Sequence, residues 1–136
     1  MHISRKSDYA LRALSYVTNQ KPEKKSSITE IAEAENIPRD FLAKILKELT
    51  RSGILKSFQG VTGGYQLAKP RESISFLSVI EAMEGPLKVN LCAGSKDDCG
   101  CGRFDNCAMK EFWDEVQKNL VKTLSEVDFG DPRLRY

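Results

Sequence analysis

All four cysteines of this 136-residue chain fall in one short stretch: Cys92, Cys99, Cys101 and Cys107. Thiolates are soft ligands, and several of them in one loop suit zinc or an iron–sulfur cluster. Gly94, Gly100 and Gly102 allow the loop to turn tightly, and Lys96, Arg103 and Lys110 are placed to offset thiolate charge. A structural zinc site usually pairs its cysteines with two residues between partners, a spacing absent here. A disulfide framework is disfavoured in a reducing compartment for a chain able to build its own core. Zinc, an iron–sulfur cluster and a thiol redox switch all remain open on spacing alone. Cys99 and Cys101 have one residue between them, so both join one cluster only with strain. A site therefore needs Cys92, Cys107 and at least one of that pair. If three thiols bind, a fourth ligand must come from elsewhere, and Asp8 is the candidate. The simpler reading of Asp8 is that an acid in a first helical turn stabilises the helix dipole and caps the helix. His2, the single histidine, sits near the terminus and carries little weight as a ligand.

A second chemistry is carried by basic residues. The net charge is only +2, but it is unevenly placed. Lys and Arg outnumber Asp and Glu over residues 1–71, and the order reverses from 72 onward. A positive first half is an electrostatic footprint for phosphate, and an acidic second half is expected to face away from it.

The elements that must position these residues can be read from periodicity. Residues 8–20 place Ala10, Leu11, Leu14 and Val17 on one helical face. A polar loop, 21–27, precedes a short helix with Ile28, Ile31 and Ala32 on its apolar side. That helix stops before Pro38, because the residue preceding proline avoids the α region. A second helix, Arg39 to Arg51, repeats Leu42, Ile45, Leu46 and Leu49 inward, and Ser52-Gly53 ends it. Ile54 to Phe58 and Tyr65 to Leu67 read as two strands around the glycine-rich tip 59–64, a β-hairpin. Residues 74–84 form another amphipathic helix. After the cysteine loop, Ala108 to Val127 form a helix of about 20 residues, roughly 30 Å long, with an irregular tail after Phe129.

Helix, tight turn, helix and glycine-tipped hairpin is the order of a winged helix-turn-helix. The expected fold is mainly α with a small β-hairpin wing, divided into a DNA-binding region at 1–85, a cysteine-rich loop at 86–107 and a dimerisation helix and tail at 108–136. In such a fold the second helix offers its N-terminal side chains to base edges in the major groove. The wing's small tip lets backbone approach phosphates or the minor groove. Arg39, Asp40, Ala43 and Lys44 then open the recognition helix, and Lys56, Gln59, Thr62 and Gly63 belong to the wing. Ser4, Arg5 and Lys6 are candidates for phosphate contacts. Lys47, Glu48 and Arg51 read as a solvated face. Winged helices also serve as protein-interaction modules, so the competing reading is a zinc- or thiol-dependent redox or interaction module on this scaffold. Catalysis is not expected: no paired carboxylates and no Ser-His or Cys-His arrangement are present, and the glycines at 60–64 lack the lysine of a phosphate loop. No apolar run is long enough to span a bilayer, and the basic N-terminus lacks the apolar stretch of a signal peptide, so a cytoplasmic protein is expected.

Taken together, Ser7-Asp8-Tyr9-Ala10-Leu11-Arg12-Ala13-Leu14, Ile31-Ala32, Leu42 through Leu49, Gly60 with Gly63-Gly64-Tyr65-Gln66-Leu67, and the cysteine loop followed by Trp113 resemble the Rrf-two family of transcription regulators. That family includes iron–sulfur, nitric-oxide and iron sensors of the IscR, NsrR and RirA kinds. The resemblance runs from Ile3 to about Val127. It implies a homodimer crossed at the long C-terminal helix, a palindromic operator on double-stranded DNA, and a 2Fe–2S or 4Fe–4S cluster near the dimer helix, with zinc as the alternative. Relatives carry three cysteines spaced as Cys92 to Cys99 and Cys101 to Cys107 are, as if Gly-Cys had been inserted here. Lys110 stands where some members place a histidine after the last cysteine. In other members an acidic residue matching Asp8 is a ligand from the partner's first helix. Ala43 and Gln59 replace a base-selecting glutamate and a wing arginine, so the resemblance implies a different operator.

Overall fold

Short hydroxyl side chains set where the helices begin. In the computed structural model, which describes residues 2–135, the Ser4 hydroxyl accepts from the Ser7 amide at 3.1 Å and opens α1 (Arg5–Thr18). Ser27 does the same for α2 (Ile28–Glu35), and the Glu30 carboxylate accepts in return from the Ser27 amide at 2.8 Å. This reciprocal capping box stabilises the helix start by about 1 kcal/mol. Asn36 adopts a left-handed conformation, φ 51°, and terminates α2. The stop therefore comes from Asn36, two residues before Pro38, because a short amide side chain tolerates that region.

Next come α3 (Arg39–Arg51) and the hairpin of β1 (Leu55–Phe58) and β2 (Gly64–Leu67), paired antiparallel from Leu55 opposite Leu67 to Phe58 opposite Gly64. The loop before α2 is not wholly irregular: Ser26 and Tyr65 exchange backbone hydrogen bonds of 2.9 and 2.8 Å, which ties that loop to the outer side of β2. Gly64, at φ +148°, is required there, since a Cβ would lie 2.7 Å from the Ser26 carbonyl oxygen. The Ser75 hydroxyl caps α4 (Phe76–Glu84). After a long loop, α5 spans Lys110–Glu126.

One core holds the first four helices and the hairpin. Leu14 of α1, Ile31 of α2, Leu42, Ile45, Leu46 and Leu49 of α3, Leu55 of β1 and Val79 of α4 are all buried, each contributing about 1.5–3 kcal/mol relative to exposure. The N-terminus of α1 is locked to the end of α4. The Ser4 and Ser7 hydroxyls both donate to the Glu84 carboxylate, and Lys6 donates to the Met83 carbonyl at 3.0 Å.

Beyond α5 the structure departs from expectation. Residues 127–129 run back along the start of α4: Phe76 donates to the Val127 carbonyl at 2.9 Å and Phe129 to that of Ile74 at 3.1 Å. Phe129 is buried against Phe76, ring centroids 5.2 Å apart. Pro132–Leu134 then form a 3-10 turn. No described helix is long and apolar enough to cross a membrane.

Candidate nucleic-acid interface and cysteine loop

The inward stripe of α3 fixes what the helix shows outward. With Leu42, Ile45, Leu46 and Leu49 buried, Arg39, Asp40, Ala43, Lys44 and Lys47 all lie exposed. Phe41, 42% exposed, joins them and packs edge-on against Tyr9 of α1, centroids 5.6 Å apart. An aromatic side chain half-presented beside cations on a recognition helix can contact a thymine methyl. Its contact with Tyr9 lies outside any periodic pattern, so helical spacing carries no sign of it.

In the wing, Lys56, Gln59 and Thr62 are exposed, and Val61 at the tip is fully so. Gly63 is demanded by the hairpin itself: a Cβ there would sit 2.1 Å from the Phe58 carbonyl oxygen. Lys25 and Lys56 both approach the Phe58 ring, at 4.3 and 5.8 Å from its centroid. Lys25, left in a polar loop by periodicity, thus joins the wing's basic patch because of the Ser26–Tyr65 pairing. A cleft of about 300 Å³ lies between the start of α2 and the wing, lined by Ser27, Ile28, Ser57, Gln59 and Val61 among others.

The three N-terminal candidates separate. Arg5 is exposed. Ser4 caps α1 and bonds Glu84. Lys6 pairs with Glu48 at 2.7 Å, which also takes Glu48 out of the solvated face. Asp8 lies in the first turn of α1, 3.4 Å from the Arg12 guanidinium on the next turn, and is more than half exposed. Arg12 in turn bonds the Glu35 carbonyl at the end of α2. Asp8 and Arg12 also line an open surface pocket with His2, Arg5 and Tyr9.

The cysteine loop is built differently. Of residues 86–107 only Ala93 is buried. The Cys92 thiol donates to the Asn90 side-chain oxygen at 2.8 Å. Cys99 and Cys101 sit with sulfurs 3.4 Å apart, and all four thiols are free. Donation to Cys101 holds the Cys99 thiol above its ordinary range. The Arg103 amide, and then the Cys99 thiol, draw Cys101 below it. The lysines expected to offset thiolate charge are otherwise engaged: Lys96 pairs with Asp105, and Lys110 with Asp114. Arg103, by contrast, acts on the Cys101 thiol.

Among the described residues no three Cys, His, Asp or Glu side chains come together closely enough to hold a metal ion. In kind, the donor set still fits zinc or an iron–sulfur cluster: four soft thiols in an exposed, glycine-containing loop. It is not gathered in advance, as is usual where ligands converge only on metal binding.

Helix α5, which follows, carries no buried residue among those described. Phe112 and Met109 are 59% and 61% exposed, and Trp113, Val116, Leu120 and Leu124 are only partly covered. Its tie to the loop runs through Gln117, which accepts from the Val89 amide at 2.8 Å and donates to the Leu87 carbonyl at 2.7 Å.

Comparison with known proteins agrees with this architecture. The Rrf2 family, described as iron-dependent transcriptional regulators, matches residues 3–131. A Synechocystis sp. protein, by name an HTH-type transcriptional regulator, is 30% identical over 131 residues, covering 96% of this chain and 86% of its own. The fold is similar to CymR, the global cysteine regulator of B. subtilis, with a TM-score of 0.79 at 23% identity, covering 96% of this chain and 95% of that one. It is similar also to T. potens IscR, with a TM-score of 0.76 at 24% identity, covering 96% and 85%. With its winged helix and a match across nearly the whole length, the chain belongs to the Rrf2 family and is a DNA-binding transcription regulator, not an enzyme.

Proposed function

We propose that the protein acts as a homodimer that reads a palindromic operator with α3 and the wing, and that an iron–sulfur cluster in the cysteine loop controls this binding in response to iron or cluster status, nitric oxide or redox state. The observation that carries the reading is the confinement of every thiol to the exposed loop joining α4 to α5. That loop connects the DNA-reading body to the helix whose apolar face is only partly covered, so a change in its shape acts on the angle between them.

In this reading residues 1–85 read DNA, 86–107 hold the cofactor and 108–136 dimerise. Cys92, Cys107 and one of Cys99 and Cys101 hold the cluster, and the partner's Asp8 completes the set. Arg39, Asp40, Ala43 and Lys44 meet base edges; Arg5, Lys56, Gln59, Thr62 and Gly63 lie along the phosphates. Ser4 and Lys6 position α1 through Glu84, Met83 and Glu48 and serve that surface indirectly. When bound, the cluster supplies a redox- and nitric-oxide-sensitive centre; the chain supplies soft ligands and an exposed approach to them.

Purification without oxygen, followed by an absorption spectrum and metal analysis, tests the cofactor. A brown protein carrying iron and sulfide, bleached by oxygen or nitric oxide with a change in operator affinity, is the expected result. A colourless protein with stoichiometric zinc sinks the reading.

A further inference from the structure

Three thiols meet the needs of the proposed site, and the fourth has no place in it. Cys99 and Cys101 are separated by one residue, so they do not readily serve one metal together. Yet theirs is the thiol pair in direct contact among the described residues, sulfurs 3.4 Å apart. Cys92 instead bonds Asn90. Cys101 is exposed and Cys99 half-buried behind it. The residue between them, Gly100, has open space where a side chain would stand, and the exposed Cys101 is approachable by a small molecule. Two of the three neighbouring acids are paired with cations, Asp98 with Lys88 and Asp105 with Lys96, while Asp97 is exposed. Arg103 adds a positive charge beside Cys101.

We infer that Cys99 and Cys101 form a dithiol site that exchanges with anionic small-molecule disulfides, and that its closure bars the loop from holding a metal. The second half of this inference rests on the cluster reading above, and the first half does not. The exposed Cys101 thiolate attacks one sulfur of the small disulfide. The old S–S bond breaks, and one thiolate leaves. The Cys99 thiol passes its proton to that leaving thiolate, and its sulfur then attacks the Cys101 sulfur and expels the second thiolate, which takes a proton from solvent. Two protein thiols are oxidised, and one small disulfide is reduced to two thiols. Exposed disulfides of this kind are the labile, regulatory ones. Closure removes both members of the pair from any ligand set, leaving Cys92 and Cys107 alone.

The test uses the reduced, metal-free protein with oxidised glutathione as the probe. Wild type is expected to lose the mass of two hydrogens, with peptide mapping joining Cys99 to Cys101 and leaving Cys92 and Cys107 as thiols. In Cys99→Ser, a glutathione adduct on Cys101 should accumulate. In wild type the tethered second thiol outruns a free competitor, holding that adduct to about a tenth of the variant's level or less. Linkage through Cys92 or Cys107, or four surviving thiols, overturns the dithiol site. Closed and reduced proteins are then given iron and sulfide anaerobically. Uptake by the reduced form only, restored after reduction of the closed form, is expected. Equal uptake with the Cys99–Cys101 bond intact overturns the block. If neither form takes up a cluster, the cluster reading fails and the block with it, while the mass measurement still decides the dithiol.

Discussion

The DNA-reading body and the segment from the cysteine loop through α5 obey different rules. In the first, each helix start has its hydroxyl cap or a preceding proline, and the apolar stripes of α1 to α4 close on one another. In the second, residues 86–126 bury only Ala93, and the apolar positions of α5 are at most partly covered. The reader is finished as a single chain. The other part leaves open what the proposed function fills: a second copy along α5 and a ligand at the thiols. Stability and regulation are thereby separated along the sequence, so variants should sort by which property they change.

The largest effect should fall in the reader. Leu46→Ala, at a fully buried position, is expected to cost about 2–5 kcal/mol of unfolding free energy. Leu120→Ala in α5 should cost much less in a dilute monomer. Equal losses in denaturant titrations would erase the contrast. Next, Trp113→Ala should weaken self-association by about 2 kcal/mol, roughly 30-fold, in sedimentation equilibrium, while leaving the helical content of α1 to α4 intact. A variant that self-associates like wild type would show that another surface joins the copies. Arg39→Ala is expected to cost about 1–3 kcal/mol of operator binding and to relax base choice. Lys44→Ala should also weaken operator binding. Thr62→Asp, by contrast, should lower affinity for all duplexes alike if the wing lies along the phosphates as proposed; both patterns are read by competition electrophoresis.

The smallest effect concerns the Ser4–Ser7–Glu84 lock. Hydrogen bonds from Ser4 and then Ser7 hold the Glu84 carboxyl below the usual glutamate range. Its contribution is full above that range and is lost as pH falls through the lowered value. Stability curves against pH should show wild type exceeding Glu84→Gln near neutrality, with the gap narrowing in acid. Solvent exposure keeps that gap under about 1 kcal/mol. A constant gap would mean that the carboxylate's charge plays no part.

What the sequence disclosed was local. The boundaries of α3 follow from its leucine and isoleucine stripe, and the hairpin from its glycines, because both are set by neighbours in the chain. Ser27 and Glu30 carried a capping-box signal that periodicity alone passes over, and it places the start of α2 at Ile28. Long-range pairings left no such trace. The bond of Ser26 to Tyr65, the contact of Phe41 with Tyr9 and the return of Phe129 to the core join residues far apart in sequence. For the thiols, nearness in sequence did not mean convergence in space. Cys92 acts on Cys99 only through charge and no three donors converge among the described residues, whereas one residue brings Cys99 to Cys101.

The return of the chain after α5 has a metrical consequence. Val127 and Phe129 fasten the C-terminal end of that helix to the start of α4, so in the proposed dimer α5 is a ruler hinged to its reader at that end. Once two copies pair along it, the distance between their recognition helices is set by where the rulers cross. A slip of one helical turn, about 5.4 Å, changes the span by roughly one and a half base pairs at about 3.4 Å each. Operator half-site spacing is then a measurement of the α5 register, and insertions between half-sites calibrate it one base pair at a time.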